Sequence, residues 1–299
     1  MRAPAKPHYV TRKRLREAAL VLGAILVSLV LWFVSVDPSL PWEDKPLRMW
    51  MLDVGQGDAI FFQLPTGEEL LIDGGRSSQV LSKLSTILPP WDSHLDALVL
   101  THTDADHVTG LVSVLEVFDI DVLMDTGHEG QTAVAQQWSE DHGIARRTLK
   151  AGDVLEYGEV VIRVLWPSDE GYASLGTNER NDLSLVLHVV YGETSLLLTG
   201  DAEEAVEEVL SAFVLDVDVL KVGHHGSLTS TSWSLLDVAR PEYALIGVGE
   251  DNSYGHPHPI ILSRLLEVGA TVFRTDLDGT ILVESYGDEP TVAPHPLPF

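Results

Sequence analysis

Four side chains able to bind a metal, His102, Asp104, Asp106 and His107, fall within six residues directly after an apolar run. That run, Leu95-Asp96-Ala97-Leu98-Val99-Leu100, reads as a buried strand, and Val108-Thr109-Gly110-Leu111 reads as the start of a helix. A short loop held at both ends by regular structure lets such side chains converge on one point. Imidazole and carboxylate together suit Zn, Mn or Fe. The plain alternative is a solvated acidic loop with two surface histidines. Comparable clusters further along the chain argue against it.

Two of those clusters also end apolar runs. Leu196-Leu197-Leu198 leads into Thr199-Gly200-Asp201, where a carboxylate can bridge two metals or cap the acidic helix that follows. Val222-Gly223-His224-His225-Gly226-Ser227 places paired histidines before a glycine turn, and one of them is a candidate ligand. In Asn252-Ser253-Tyr254-Gly255-His256-Pro257-His258-Pro259, the side chains of Asn252, Tyr254 and His256 can meet a ligand. Asp53-Val54-Gly55-Gln56-Gly57-Asp58 is a tight turn, open to either a structural or a functional reading. In Leu71-Ile72-Asp73-Gly74-Gly75, Asp73 is expected to bond the metal loop rather than to ligate. The remaining histidines, His8, His94, His128, His142, His188 and His295, are read as surface or packing.

Charge narrows the partners. Residues 1–16 carry six basic side chains and no acidic one, which leaves 13 basic against 45 acidic residues, a balance of −32, on the rest. A body this acidic repels nucleic acid over most of its surface, so a polyanion must be drawn in locally. The absence of cysteine excludes disulfides and thiolate ligands. Ala18 to Val36 is uncharged and long enough to cross a bilayer as a helix. Basic residues before it and acidic ones after it place the N-terminus in the cytoplasm. A cleavable signal peptide competes with this reading, but no good cleavage site follows.

The expected organisation is a basic cytoplasmic segment (1–17), a transmembrane anchor (18–36), a proline-bearing linker (37–47), one hydrolase domain (48–286) and a flexible Pro-rich tail (287–299). Strands are expected at 48–54, 58–64, 69–72, 95–100, 120–124, 159–165, 183–190, 194–199, 217–222, 243–248, 271–274 and 280–284. Helices are expected at 78–88, 108–117, 132–142, 202–213, 231–238 and 260–268. A meander followed by alternating strands and helices suits a layered α/β protein.

The set of motifs resembles the metallo-β-lactamase fold, whose His-x-His-x-Asp-His signature corresponds to His102-Thr103-Asp104-Ala105-Asp106-His107, with Asp104 in place of the second histidine. It is more similar to the hydrolase domain of ComEC-type competence proteins, the DNA-uptake channels. Leu52 to Asp58, Asn181 to Leu187, Leu198 to Asp201, Leu220 to Ser227 and Tyr254 to Pro257 all resemble that group, in the same order. The polytopic channel of those proteins has no counterpart in this sequence, so transport by this chain alone is not expected.

The resemblance implies a four-layer αβ/βα sandwich, here preceded by one transmembrane helix, with two divalent ions, Zn or Mn, at one edge. One ion would take His102, Asp104 and Asp201. The other would take Asp106, His107, Asp201 and either His224 or His225. A further histidine ligand of many relatives has no clear counterpart here; Asn181 or Asp182 falls in its region, so a single ion is the alternative. Asp106, His256 and Asn252 are the candidate catalytic residues, with Ser227 as an alternative to Asn252. The implied function is a membrane-anchored phosphodiesterase or nuclease acting on DNA outside the cytoplasmic membrane. Hydrolysis of a small ester, lactone or phosphate, or a non-catalytic partnership with a DNA-uptake channel protein, are the alternatives.

Overall fold

The computed structural model describes residues 45–168, 171, 173, 175 and 180–295. The expected anchor at 18–36 lies outside them. Lys45–Phe299 forms one compact unit. Among the described residues, no helix is long and apolar enough to cross a membrane.

Two sheets face each other. The first has the order β15-β14-β1-β2-β3-β4-β5-β6. Its strands are β1 (Leu47–Met51), β2 (Ile60–Gln63), β3 (Glu69–Ile72), β4 (His94–Val99), β5 (Asp119–Asp125), β6 (Ala145–Thr148), β14 (Ile281–Ser285) and β15 (Thr291–Pro294). The second has the order β13-β12-β11-β10-β9-β8-β7. Its strands are β7 (Val154–Tyr157), β8 (Val160–Trp166), β9 (Val186–Tyr191), β10 (Thr194–Leu198), β11 (Val219–Lys221), β12 (Tyr243–Ile246) and β13 (Thr271–Arg274). Each sheet has an antiparallel part and a parallel part: β3 to β6 run parallel in one, β10 to β13 in the other.

Side-chain alternation along the strands builds three cores. Met49 and Met51 of β1 join Leu196 and Leu198 of β10 in the core between the sheets. Trp50 and Phe61 point the other way and pack with helices α1 (Gln79–Ile87), α2 (Ala105–Leu115) and α3 (Ala133–Ser139). Leu197, Leu220 and Ala244 likewise meet α4 (Glu204–Leu210), α5 (Trp233–Ala239) and α6 (Pro259–Glu267). A four-residue helix, α7 (Thr275–Asp278), precedes β14. Helix, sheet, sheet and helix therefore stack as layers. Both parallel halves present their carboxyl ends to the same place, where open α/β sheets usually hold their ligands.

The tail departs from expectation. Thr291–Pro294 is not a flexible tail but an outer strand, paired antiparallel with β14. Proline is tolerated there because an edge strand leaves one row of backbone groups unpaired. The terminal residues 296–299 lie outside the description.

Candidate metal centre

Each candidate side chain leaves the carboxyl end of a strand. His102 follows β4, Asp106 and His107 start α2, Asp201 follows β10, and His224 and His225 follow β11. The pair after β11 sits in a left-handed turn, with φ of 46° and 54°. Non-glycine residues adopt that region at a cost, and such strain gathers at functional sites. It brings both rings to Asp201. Oδ2 of that carboxylate lies 3.3 Å from Nε2 of His107, 3.4 Å from His225, 3.8 Å from His224 and 3.9 Å from His102. His225 Nε2 also stands 3.6 Å from Asp106 Oδ2.

The surrounding hydrogen bonds decide which nitrogens face inward. Asp73 accepts from the Thr101 amide at 2.9 Å, the Thr101 hydroxyl at 2.7 Å and His107 Nδ1 at 2.7 Å. Because the Thr101 hydroxyl gives its proton to Asp73, it accepts from His102 Nδ1, 3.0 Å away. Neutral His102 therefore carries a bare lone pair on Nε2. That nitrogen is buried and makes no hydrogen bond, and the same holds for Nε2 of His107 and of His225. Buried polar atoms are seldom left so, and three that converge on one carboxylate suit a cation.

Charge agrees. Asp58, Asp73 and Asp201 are buried, and Lys221, 1% exposed, is the buried amine among them. Its Nζ donates to the Gly200 carbonyl at 2.6 Å, pairs with Asp58, and lies 3.5 Å from Asp201 Oδ1. Asp201 thus turns one oxygen to lysine and the other to the histidines. Burial and the neighbouring His107 push His102 down to about 3. Burial opposes a charge on His225, but the carboxylates of Asp201 and Asp58 outweigh it and raise its pKa to about 9. Burial likewise opposes the charge on His107, and Asp201 and Asp73 raise it well above the usual histidine value. The carboxyl of Asp201 is held far down against its own burial by His225, His107 and Lys221.

Four groups of potential ligands converge here: His102, His107 and Asp201; Asp106, His107 and His225; Asp58, Asp201 and His225; and Asp58, Asp73 and His107. The structure does not bring Asp104 into any of them. Its Oδ1 faces Arg180 Nη1 at 3.3 Å, and that ion pair draws it aside. Of the histidine pair, His225 belongs to the converging groups. His224 stands outside them, held through Nδ1 by Glu203 at 3.2 Å, which also accepts from Asn181 at 3.1 Å.

Asn252 departs from its expected catalytic role. Its Nδ2 donates to the carbonyls of Gly249 at 3.0 Å and His256 at 2.8 Å, and its Oδ1 accepts from the His256 amide at 3.0 Å. The side chain is spent on closing its own loop. His256 does line the cavity over the cluster. Burial and the nearby His224 and His225 lower it to about 4, so it is neutral near pH 7. Ser227 bonds within its turn, to Thr229. Asp58 and Lys221 were not among the sequence candidates. Asp58 ends the Asp53–Asp58 turn, and Lys221 is a charged residue inside an apolar run; both are visible signals, but neither reveals its partner.

The cavity measures about 240 Å³ and is lined by Arg76, Asp106, Arg180, His225, Tyr254 and His256, among others. This fold and this cluster define the class. The Metallo-beta-lactamase superfamily profile matches residues 52–250, and the chain belongs to that superfamily. Its members hold divalent metal ions, usually two. Among curated proteins, the chain is 33% identical over 291 residues to ComE operon protein 3 of Bacillus subtilis, covering 90% of this chain and 36% of that protein. It is 31% identical over 266 residues to Competence protein ComA of Neisseria gonorrhoeae, covering 85% of this chain and 34% of that protein. The chain thus spans about a third of these relatives. Among solved structures, the metallo-beta-lactamase fold protein YhfI of Bacillus subtilis superposes with a TM-score of 0.56 at 17% identity, covering 81% of this chain and all of that one. The chain is therefore a metallo-β-lactamase-fold hydrolase related to competence proteins.

Proposed function

We propose that this chain is a metal-dependent phosphodiesterase acting on DNA outside the cytoplasmic membrane. The observation that carries the reading is the set of buried ring nitrogens of His102, His107 and His225 that make no hydrogen bond. They face Asp201 Oδ2 beneath an open cavity whose lining includes two arginines. Kinship with competence proteins supports the DNA substrate.

His102, His107, Asp201, Asp106 and His225 would hold two divalent ions, Zn or Mn, with a single ion as the alternative. Bound there, such ions acidify water and offset phosphate charge. The protein's own groups do the rest. Asp73 and Asp58 orient the rings of His107 and His225. Arg76 and Arg180 offer the positive charge that the acidic body lacks. His256, neutral near pH 7, stands where it can hold a substrate oxygen. The uncharged run 18–36 would anchor the chain with its acidic body outside, beside a DNA-uptake channel protein as partner.

The test is direct. Metal-reconstituted protein is assayed against single-stranded DNA, a phosphodiester dye, a lactone and a β-lactam. Cleavage of the first two is expected. Asp106→Ala and His107→Ala should each lose an ion and at least about 100-fold in rate, since such an ion contributes several kcal/mol to the transition state. Hydrolysis of the lactone alone would replace this reading with a small-molecule hydrolase. Full metal content and activity in both variants would remove the site assignment.

A further inference from the structure

A second cavity, of about 330 Å³, opens beside the metal cavity, between the Gly55–Gln56 turn and residues 249–254. Gln56, Arg76 and Tyr254 line both. These three side chains form a common wall. Arg76 is exposed, and its Nη2 donates to the Tyr254 hydroxyl at 2.8 Å, with its guanidinium carbon 5.7 Å from the ring centre. Among the described residues it makes no ion pair, although the Asp106 charge acts on it, whereas Arg180 is engaged by Asp104. Tyr254 is 54% exposed.

The wall is built in advance. Asn252 ties Gly249 to His256, and the Gly249 amide donates to Gln56 Oε1 at 3.4 Å. That fixes the loop bearing Tyr254 against the turn bearing Gln56. Glu250 and Asp251 also line the second cavity. Those carboxylates repel a second phosphate and accept hydrogen bonds from amino and hydroxyl groups. A cationic and aromatic wall, acidic residues in the same cavity and an adjoining metal centre match one kind of ligand.

We propose that the second cavity is a nucleoside subsite. The sugar and base attached to the phosphate under attack lie against Tyr254, and Arg76 reaches from the wall to that phosphate. This rests on the phosphodiesterase reading and names the unit that gives it specificity. Aromatic side chains accept any base by stacking, so the subsite selects a nucleoside without selecting sequence.

Calorimetry on the metal-loaded full chain tests it, with thymidine 5′-monophosphate and inorganic phosphate as probes. The nucleotide should bind about tenfold more tightly than phosphate, the low end of what one base stacked on an aromatic ring contributes. Tyr254→Ala should erase that preference while metal content stays as in the wild type. Tyr254→Phe should keep most of it, and Arg76→Ala should weaken the nucleotide. Equal affinities in the wild type, or a preference that survives Tyr254→Ala, would overturn the proposal. Cleavage of DNA without the preference leaves the phosphodiesterase reading and removes the subsite. The preference without cleavage of any phosphodiester does the reverse.

Discussion

Asp73 determines which nitrogen of His107 meets the cluster, because its carboxylate accepts from Nδ1 at 2.7 Å and leaves Nε2 facing Asp201. An amide in its place can turn a donor to the ring. Asp73→Asn should therefore lower metal affinity by about 10–100-fold, the usual effect of losing such an outer partner, while the ligand set stays complete. Competition titration with a chelator measures this, and an unchanged affinity would refute the orienting role. Protons compete with metal at the same rings. Without metal, His225 titrates at about 9 and His107 well above its ordinary value. Both are thus charged at pH 7.5, and a charged imidazole has no lone pair to offer. Metal binding must displace those protons, so apparent affinity rises with pH from 7.5 at least to about 9, where His225 loses its proton. Calorimetry in two buffers of different ionisation enthalpy should show at least one proton released per chain at pH 7.5. No buffer dependence would mean that these rings are not ligands.

Helix α2 carries His107, and its seat on the first sheet depends on one close approach. A Cβ on Gly110 would overlap the carbonyl of Gly74, just past β3. Gly110→Ala should force the helix outward. It should cost about 1–3 kcal/mol, as overpacking does, and weaken metal binding because His107 moves with the helix. Thermal melting of the metal-free protein and chelator titration check both effects; an unchanged melting temperature would show that the contact has slack. Legibility in the sequence divides along the same elements. Central strands such as β4 and β10 were readable because both faces are buried and their residues are apolar. Strands β6, β7 and β15 were not: Ala145–Thr148 is exposed throughout, and edge strands need no apolar alternation. Ligand types at strand ends were readable as clusters. What escaped was pairing across the two sheets, Lys221 with Asp58 and Arg180 with Asp104, and the use of Asn252 within its own loop. The two ion pairs are set by tertiary contact, which no local pattern encodes; the Asn252 bonds are local and reach only to Gly249 and His256.

Over the whole molecule, an excess of 32 acidic charges beyond residue 16 limits how DNA can be held. Arg48, Lys83, Arg146 and Arg274 are already paired with carboxylates, and Lys221 is buried. Of the two arginines that line the metal cavity, Arg180 already faces Asp104, and Arg76 is the cation placed to meet a strand there. A bound strand should then neutralise one or two phosphates, because the surface beyond repels the rest. Each phosphate neutralised on a single strand contributes about 0.7 to the slope of log affinity against log salt. Binding of a short single strand to metal-loaded Asp106→Ala protein, where it retains one ion, or to the wild type at a temperature that suppresses turnover, should therefore show a slope between about −0.7 and −1.4. Arg76→Ala should reduce that slope by roughly one phosphate's share, about 0.7. A slope of about −4 or steeper would require an extended basic track of some six phosphates. Contact confined to the metal edge would then be wrong, and the strand would have to be held mainly by cations outside the cavity.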